Sequence, residues 1–295
     1  MKISLDEFAA FLWGDGKSLT TISGYENVVR EWLGWLVDQS IDKKTASTND
    51  LLSYVEYLKK DRKNKPRTIN GKLLAIRWYY RYLQSKDNDI VNIALDMQVK
   101  GVIRKMPHDQ LEWEELEQLY AAYPLAGITG KRNKVITGLL VYQGLTNGEI
   151  RSIKLEDIDL EKASIYIGSR RKSNSRILKL EASQLIPLQN YILQVRPLIL
   201  GVKERESENL ILSTGKGIRI DNVMTRVTSQ LRKLNPNVIN IKQIRASVIT
   251  YWLKKHNTRQ VQYMVGHRYA SSTEHYRTDH LEDLQDKLNS FHPLG

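Results

Sequence analysis

The chain has 295 residues, which is long enough for two domains of ordinary size. Its hydrophobic fraction of 41% and charged fraction of 26% are typical of a globular protein and exclude a disordered one. The net charge of +12 favours a polyanionic partner, most often nucleic acid, although a merely soluble basic protein would have the same charge.

The absence of certain residue types and segments excludes further classes of protein. The sequence has no cysteine, which excludes disulfides and thiolate metal sites. No apolar run approaches the ~20 residues that a membrane helix needs. The N-terminal segment carries Asp6 and Glu7, whereas a signal peptide requires an uninterrupted apolar stretch there. We therefore expect a cytoplasmic protein.

The first hundred residues have the hydrophobic spacing of helices. Ser18 is the candidate N-cap of a long amphipathic helix, and Thr48 or Asn49 is the candidate N-cap of the next one. Pro66 begins a third helix, since proline suits the first helical turn. These signals predict a helical domain over residues 1–100.

Three cationic side chains of the third predicted helix are candidate DNA contacts, namely Arg67, Lys72 and Arg77. They can lie against a phosphate backbone, but a solvated helix surface explains the same charges. After this domain, residues 101–110 break the helical pattern with Gly101, Pro107 and several cations. We predict an interdomain linker there.

A second domain is predicted over residues 111–295. Residues 164–181 alternate in polarity and contain a polar Ser-Asn-Ser run beginning at Ser173, which predicts a β-hairpin turning at that run. Helical spacing recurs on either side of it, at residues 113–123, 131–145, 220–234, 242–256, 258–267 and 280–291. Gly266 is the candidate terminator of the helix over 258–267. The expected fold class is mainly α with one small antiparallel β-sheet.

The most informative stretch is residues 242–277, where three short motifs follow one another. Lys242 and Arg245 form a Lys-x-x-Arg motif, His267 follows a glycine, and Tyr276 ends the run Thr-Glu-His-Tyr. An arginine holds two phosphate oxygens with its planar guanidinium. Neighbouring cations also lower the cost of forming a phenolate, whose reference pKa is near ~10. The cationic groups of this stretch therefore suit the binding of a phosphate group.

This order of motifs resembles the tyrosine recombinases, the phage-integrase family. Family members combine His/Lys-x-x-Arg, a Gly-His or Gly-Trp pair, and a nucleophilic tyrosine in a Thr-Glu-x-Tyr context. The resemblance implies an N-terminal core-binding domain, a C-terminal catalytic domain, and a clamp of the two around double-stranded DNA. It also implies a 3′-phosphotyrosine intermediate, which conserves the phosphodiester energy and needs no cofactor, ATP or metal.

The resemblance implies a role for each residue. Tyr276 would be the nucleophile, Arg245 would hold the phosphate oxygens, and His267 would donate a hydrogen bond to the scissile phosphate. Lys242 would be auxiliary, and Lys172 at the hairpin tip would protonate the leaving 5′-oxygen. The alternatives are a packing tyrosine, a surface arginine, a histidine favoured by a helix C-terminus and a solvated basic turn.

Two further arginines crowd the hairpin tip. Arg170 and Arg171 precede Lys172 directly, so the identity of the hairpin lysine is open by one residue. Both arginines are candidate DNA contacts, because a basic turn suits a phosphate backbone whichever residue donates the proton.

One position departs from the family pattern. The family has Gly-Leu-Arg-x-x-Glu, whereas this chain reads Gly-Leu-Thr-Asn-Gly-Glu and has Thr146 in place of the first catalytic arginine. Thr146 and Glu149 together predict a capping box. Thr146 can offer its hydroxyl to a phosphate but carries no charge. Arg151 is turned by roughly 140° around the helix, so Lys242 or a hairpin arginine would have to compensate.

The predicted tail helix carries a leucine stripe formed by Leu281, Leu284 and Leu288. It can pack on its own domain, but the resemblance implies that it docks on a neighbouring subunit within a synaptic homo-tetramer.

The leading functional hypothesis is a site-specific DNA recombinase of mobile DNA. Thr146 motivates an alternative, a DNA-binding relative that does not cut. A monomeric type IB topoisomerase is the other alternative, whereas an RNA-binding protein is disfavoured because no aromatic-rich RNP-like segment occurs.

Overall fold

The protein was analysed as a computed structural model, which describes residues 5–101, 109–170, 173–203, 206–214 and 220–277. The chain divides into two compact units, Met1–Arg104 and Lys105–Gly295. The predicted linker at residues 101–110 lies almost entirely outside the described residues, as does the leucine stripe of the predicted tail helix. Both therefore stay predictions.

The described part of unit 1 contains four helices, which are α1 (Asp6–Gly14), α2 (Leu19–Asp38), α3 (Thr48–Lys60) and α4 (Pro66–Lys86). Their buried faces form an aromatic-rich core. The Trp32 ring lies 5.5 Å from that of Trp35 and 4.9 Å from that of Tyr54. Large aromatic side chains bury much apolar area each, which stabilises a small helical unit.

The helix starts of unit 1 follow local capping signals. Ser18 is the N-cap of α2, as predicted, and its Oγ accepts a hydrogen bond from Thr21 N at 3.2 Å. The N-cap of α3 is Ser47, so the prediction of Thr48 or Asn49 was wrong by one or two residues. Ser47 takes the N-cap position because Asp50 lies three residues later and completes a reciprocal capping box with it.

The described part of unit 2 is also mainly helical. Its helices are α5 (Trp113–Ala121), α6 (Gly127–Val141), α7 (Asn147–Ser152), α8 (Ala182–Asn190), α9 (Arg196–Lys203), α10 (Ile220–Leu234), α11 (Ile241–Lys255) and α12 (Thr258–Val265). Residues 271–277 are helical as well. Helix α6 is buried on nearly all sides, and α11 packs Ile244, Val248 and Ile249 into the same core.

Helices α8 and α9 have no counterpart among the predicted elements. A π-helical turn, Tyr191–Val195, connects them. Pro187 lies inside α8, and Ile186 and Leu193 are exposed apolar side chains. The hydrophobic spacing of an α-helix cannot be recognised in this part of the sequence. The reasons are the internal proline, the wider π-helical turn and the apolar residues that face outwards.

The predicted β-sheet is confirmed, with β1 (Ile158–Asp159), β2 (Ser164–Ile167) and β3 (Arg176–Lys179) in the antiparallel order β1-β2-β3. The assignment of the Ser-Asn-Ser run to its turn was wrong. Arg170 and Ser173 exchange backbone hydrogen bonds of 2.8 and 3.1 Å, so Ser173 already belongs to the paired arm of the hairpin. The predicted hairpin tip at Lys172 lies outside the described residues. The Ser-Asn-Ser run pairs elsewhere, since Ser173 bridges to His267 and Asn174 N donates to Gly266 O at 2.9 Å.

The fold class is therefore mainly α with a small antiparallel sheet, as predicted. Across the described ranges, no helix has the length and apolar character needed to cross a membrane.

Candidate active site

The motif residues of unit 2 come from three segments. Thr146 is the N-cap of α7, Lys242 and Arg245 lie one turn apart on α11, and His267 and Tyr276 lie on the segment that follows α12. A cleft of about 560 Å³ is lined by Thr146, Lys242 and Arg245, together with residues of α10. The structure thus brings the dispersed motifs to one place on unit 2.

A buried carboxylate lies beneath this cleft. Glu149 is 2% exposed, and its Oε1 accepts a 2.8 Å hydrogen bond from Arg176 Nη1, while its Oε2 is 3.6 Å from Arg245 Nη1. Burial acts to raise the pKa of Glu149, but Arg176 and Arg245 outweigh it and lower that pKa below its usual value. Glu149 is therefore an ionised hub that ties α7 to β3 and α11.

Arg176 is a component of the site that the sequence analysis missed. Its side chain is fully buried on β3, and its Nε donates to Met264 O at 2.8 Å. Its Nη2 has no hydrogen-bond partner among the described residues. The available signal was the alternation of β3, which places Arg176 on the same inward face as Leu178. A cation on an inward strand face needs a buried partner.

Gly266 makes room for this arginine. It ends α12 in the left-handed conformation with φ +74°, as predicted for a helix terminator. A Cβ at this position would overlap Arg176 Nη1 and would lie 2.9 Å from Arg176 Cζ. Glycine is thus required here by backbone conformation and by space.

Arg245 is held rigidly at the rear of the cleft. Its Nη1 donates to Gly144 O and its Nη2 donates to Val265 O at 3.0 Å, and 13% of its side chain is exposed. Burial lowers the pKa of Arg245, although an arginine stays protonated at any physiological pH. A fixed cation with limited exposure suits the binding of a phosphate group.

His267 is neutral at physiological pH. Burial, with the nearby cations Arg245 and Arg176, lowers the pKa of His267 to about 4. Its Nδ1 lies 2.9 Å from Oγ1 of Thr273, which is fully buried. When the Thr273 hydroxyl donates to Nδ1, the single ring proton is on Nε2. His267 can then donate one hydrogen bond without carrying charge.

Tyr276 lies beside this histidine. The two ring centroids are 6.0 Å apart and the ring planes are inclined by 24°. Tyr276 is half-buried and packs against the core of unit 2, and its phenol lies close enough to Arg245 to affect the pKa of that arginine. The predicted nucleophile therefore lies next to His267 and near Arg245, two of the predicted phosphate-binding side chains.

Thr146 is engaged locally. Glu149 N donates to Thr146 Oγ1 at 3.2 Å, and Thr146 N and Oγ1 donate to Glu149 Oε2 at 2.9 and 2.8 Å. The predicted capping box is confirmed. Arg151 forms an ion pair with Asp221 on α10. Arg151 therefore pairs with α10, which agrees with the prediction that it lies on a different face of the helix from Thr146.

Four more cationic residues of unit 2 were predicted to belong to the site, and two of them have described positions. Lys242 is exposed on the cleft, and the Arg170 guanidinium lies against Gly148 in the first turn of α7. Arg171 and Lys172 lie outside the described residues, so their predicted roles stay predictions.

In unit 1, two of the three candidate DNA contacts have intramolecular partners. Lys72 Nζ lies 2.6 Å from Glu31 Oε1, and Arg77 Nε donates to Ala94 O at 2.8 Å. Arg67 is exposed near the start of α4. A merely solvated surface therefore does not describe Lys72 and Arg77, and the DNA contacts of all three stay predictions.

Comparison with known proteins supports the resemblance independently. A profile of the phage integrase family matches residues 109–282, and a profile of the phage integrase N-terminal SAM-like domain matches residues 5–87. The TnP I resolvase of Bacillus thuringiensis is 25% identical over 96% of this chain and 97% of its own length. Tyrosine recombinase XerA of Thermococcus kodakarensis is 26% identical over 98% and 96%, respectively.

Solved structures share the fold. XerH site-specific recombinase in a pre-cleavage complex with its difH substrate aligns with a TM-score of 0.72 at 16% identity, covering 94% of this chain and 82% of XerH. A lambda integrase dimer bound to a COC′ core site aligns with a TM-score of 0.62 at 15% identity, covering 91% and 95%. Because the family profile covers more than half of the chain and the N-terminal profile precedes it, the chain belongs to the phage integrase family of tyrosine recombinases.

Proposed function

We propose that the chain is a site-specific recombinase that cuts and rejoins double-stranded DNA through a 3′-phosphotyrosine intermediate. The observation that carries this proposal is the proximity of Tyr276 to His267 and to Arg245, an arginine that lines the same cleft as Lys242. A nucleophile, a neutral hydrogen-bond donor and two cations are the groups that phosphoryl transfer to a tyrosine requires.

In the forward step, the Tyr276 oxygen attacks the scissile phosphorus and the phenolic proton passes to solvent water. The new bond joins oxygen to phosphorus, while the bond from phosphorus to the 5′-oxygen breaks and that oxygen leaves as a hydroxyl. Lys172 is the predicted donor of the proton to the leaving oxygen. Attack of a 5′-hydroxyl on the phosphotyrosine reverses the step and rejoins the strand, so that no external energy source is consumed.

Arg245 and His267 stabilise the charge that builds up on the non-bridging oxygens. Arg245 donates from a guanidinium held by two backbone carbonyls and Glu149. His267 donates from Nε2 as a neutral ring, because Thr273 engages Nδ1 and the histidine pKa is about 4. These donors cost little reorganisation, since they are held in place before the substrate binds.

The assembly follows by analogy with relatives. A lambda integrase of the same fold is a tetramer bound to a Holliday junction. We extend this to a homo-tetramer of the present chain on synapsed duplexes, with Arg67, Lys72 and Arg77 contributing phosphate contacts from unit 1. A cytoplasmic location stays a prediction.

A second candidate function is DNA binding without cleavage, and Thr146 is the observation that favours it. The position that carries the first catalytic arginine in the family has no charge here, and its hydroxyl is engaged by Glu149. In this alternative, the chain would recognise a recombination site without cutting it.

A trapping experiment separates these functions. Duplexes that bind are first selected from a random pool and rebuilt as nicked suicide substrates, on which a 3′-phosphotyrosine adduct accumulates. We expect the native chain to form a denaturation-resistant adduct, and Tyr276→Phe to bind equally well without forming one. Adduct formation by Tyr276→Phe would place the nucleophile elsewhere, with the exposed Tyr269 the first candidate.

The same experiment addresses the alternatives. Tight binding without any adduct in the native chain, together with an adduct in Thr146→Arg, would establish the non-cutting function. Relaxation of supercoiled plasmids that lack a selected site would instead indicate topoisomerase activity.

A further inference from the structure

We propose that Arg170 supplies the guanidinium that position 146 lacks, so that the first catalytic arginine of this site comes from the β2–β3 hairpin rather than from α7. This inference rests on the proposed function and specifies which residue contacts the scissile phosphate. It addresses the one position at which the sequence departs from its family.

The need for a substitute follows from the contacts of Thr146. Its hydroxyl donates to Glu149 Oε2 and accepts from Glu149 N. Both interactions are local to the first turn of α7, and neither brings positive charge to the cleft. A phosphate in the cleft would therefore meet the cations Arg245 and Lys242 but no cation from the family's usual position.

The position of Arg170 meets this need. A Cβ built on Gly148 would overlap Arg170 Nη1, and it would lie 3.3 Å from Cζ and 3.9 Å from Nη2. The guanidinium therefore lies against the backbone of Gly148, two residues after Thr146. Gly148 itself lines the same cleft as Thr146, Lys242 and Arg245.

Gly148 has a conformation that other residues adopt readily. It does not belong to the glycines with positive φ, and it lies within a helix, where alanine is the better helix former. The backbone therefore gives no reason for glycine. The overlap with Arg170 supplies one, because any side chain would displace the guanidinium.

Arg170 is also available to a substrate. It is exposed, and no salt bridge ties its guanidinium to a carboxylate within the described ranges. Its backbone is nevertheless fixed, since it exchanges two hydrogen bonds with Ser173, which in turn bridges to His267. The base of the side chain is thus positioned relative to the catalytic segment, while its guanidinium lies against Gly148 without a carboxylate partner among the described residues.

Two other arginines are less suited to the role. Arg176 is fully buried against Glu149 and Met264 and cannot reach a phosphate in the cleft without rearrangement. Arg151 is paired with Asp221. Arg170 combines exposure with proximity to α7.

The test is a double-mutant cycle on suicide DNA, with single-turnover cleavage as the first readout. We expect Arg170→Ala to lower the cleavage rate by about 10²-fold, the usual effect of losing one transition-state donor. Gly148→Ala should lower the rate in the native background, because its methyl group displaces Arg170, but should have no further effect in the Arg170→Ala background. Thr146→Arg should recover at least about tenfold of the rate in Arg170→Ala.

Lys162→Ala is the matched control, since it removes the same charge from the turn between β1 and β2 and should leave the rate unchanged. An unchanged rate in Arg170→Ala would overturn the proposal. Equal effects of Gly148→Ala in both backgrounds would also overturn it, even if Thr146→Arg fails to fold.

A second readout separates this proposal from the proposed function. Equilibrium binding to the selected duplex is measured in a Tyr276→Phe background, where no cleavage can occur. We expect Arg170→Ala and Gly148→Ala to weaken binding non-additively and each to lower the salt slope by about 1. If the native chain forms no adduct but this coupling persists, the proposed function fails while the phosphate contact of Arg170 is established. Additive effects on binding would overturn that contact.

Discussion

His267 has the most specific environment of the predicted site residues. Its ring is partly buried between Tyr276, Thr273 and two cationic guanidinium groups, and its pKa is lowered to about 4 by burial and by these cations. A neutral imidazole has two tautomers, and only the one protonated on Nε2 can donate towards a phosphate while Nδ1 faces Thr273. We therefore expect Thr273 to position His267 for the proposed reaction.

Replacing this hydroxyl should impair cleavage through the histidine. In Thr273→Val the Nδ1 atom loses its partner and the tautomer is no longer selected, so we expect single-turnover cleavage to fall roughly tenfold, below the ~10²–10³ typical of deleting a donor outright. Thr273→Ser keeps the hydroxyl and should retain most of the rate. DNA affinity should be similar in both variants. Equal loss of rate in the valine and serine variants would exclude this role.

The same histidine should leave a signature in the pH dependence of stability. Its folded pKa of about 4 lies below its reference value of 6.5, so the unfolded state binds more protons between these values. The contribution of His267 to stability is complete above pH 6.5 and is lost as pH falls towards 4. The total loss is on the order of 3 kcal/mol.

We therefore expect His267→Gln to be relatively more stable, compared with the native chain, as pH falls from 6.5 to 4. Urea unfolding at several pH values measures this difference. His256→Gln serves as the control, because it makes the same substitution at an exposed histidine. A constant stability difference between His267→Gln and the native chain over this range would contradict the buried neutral histidine.

At the scale of elements, the side chain of Arg176 connects β3 to α7 and α12 and thereby stabilises the candidate site. Arg176 reaches from β3 to Glu149 on α7 and to Met264 O on α12, and both side chains of the ion pair are almost fully buried. Breaking a buried pair leaves an uncompensated charge, which is more costly than losing the attraction alone.

We expect Arg176→Met to lower the free energy of unfolding by about 3 kcal/mol, because among the described residues Glu149 keeps only the more distant Arg245 as a cationic partner. Glu149→Gln in the same chain should restore part of this loss by removing the unpaired charge. Chemical denaturation of the two single variants and the double variant measures the coupling. If the two losses simply add, Arg176 and Glu149 do not stabilise each other.

These elements show which parts of the fold were predictable from sequence. The start of α7 at Thr146 and the end of α12 at Gly266 were predicted because caps depend on residues three or four positions apart. The Ser-Asn-Ser run was wrongly assigned to the hairpin turn because Ser173 and Asn174 pair with His267 and Gly266, which are remote in sequence. Arg176 was missed for the same reason, since its partners lie on two other elements.

At the scale of the whole molecule, the dominant property is the positive charge of +12. A protein that neutralises DNA phosphates releases counterions. The logarithm of its binding constant therefore falls steeply and linearly with the logarithm of the salt concentration. The structure also indicates that cations differ in availability. Arg67 is exposed, whereas Lys72 is paired with Glu31 at 2.6 Å with 13% of its side chain exposed.

We therefore expect the affinity for the selected duplex to fall by at least about 10³-fold between 50 mM and 200 mM salt, as for proteins with six or more phosphate contacts. Arg67→Ala should reduce the slope of log K against log salt by about 1, because it removes one phosphate contact. Lys72→Ala should reduce the slope less, since Glu31 already neutralises this ammonium and would be left unpaired. Fluorescence anisotropy at a series of salt concentrations measures all three slopes. A flat salt response of the native chain would rule out extensive phosphate contact, and a larger slope change for Lys72→Ala than for Arg67→Ala would show that DNA displaces Glu31 from Lys72.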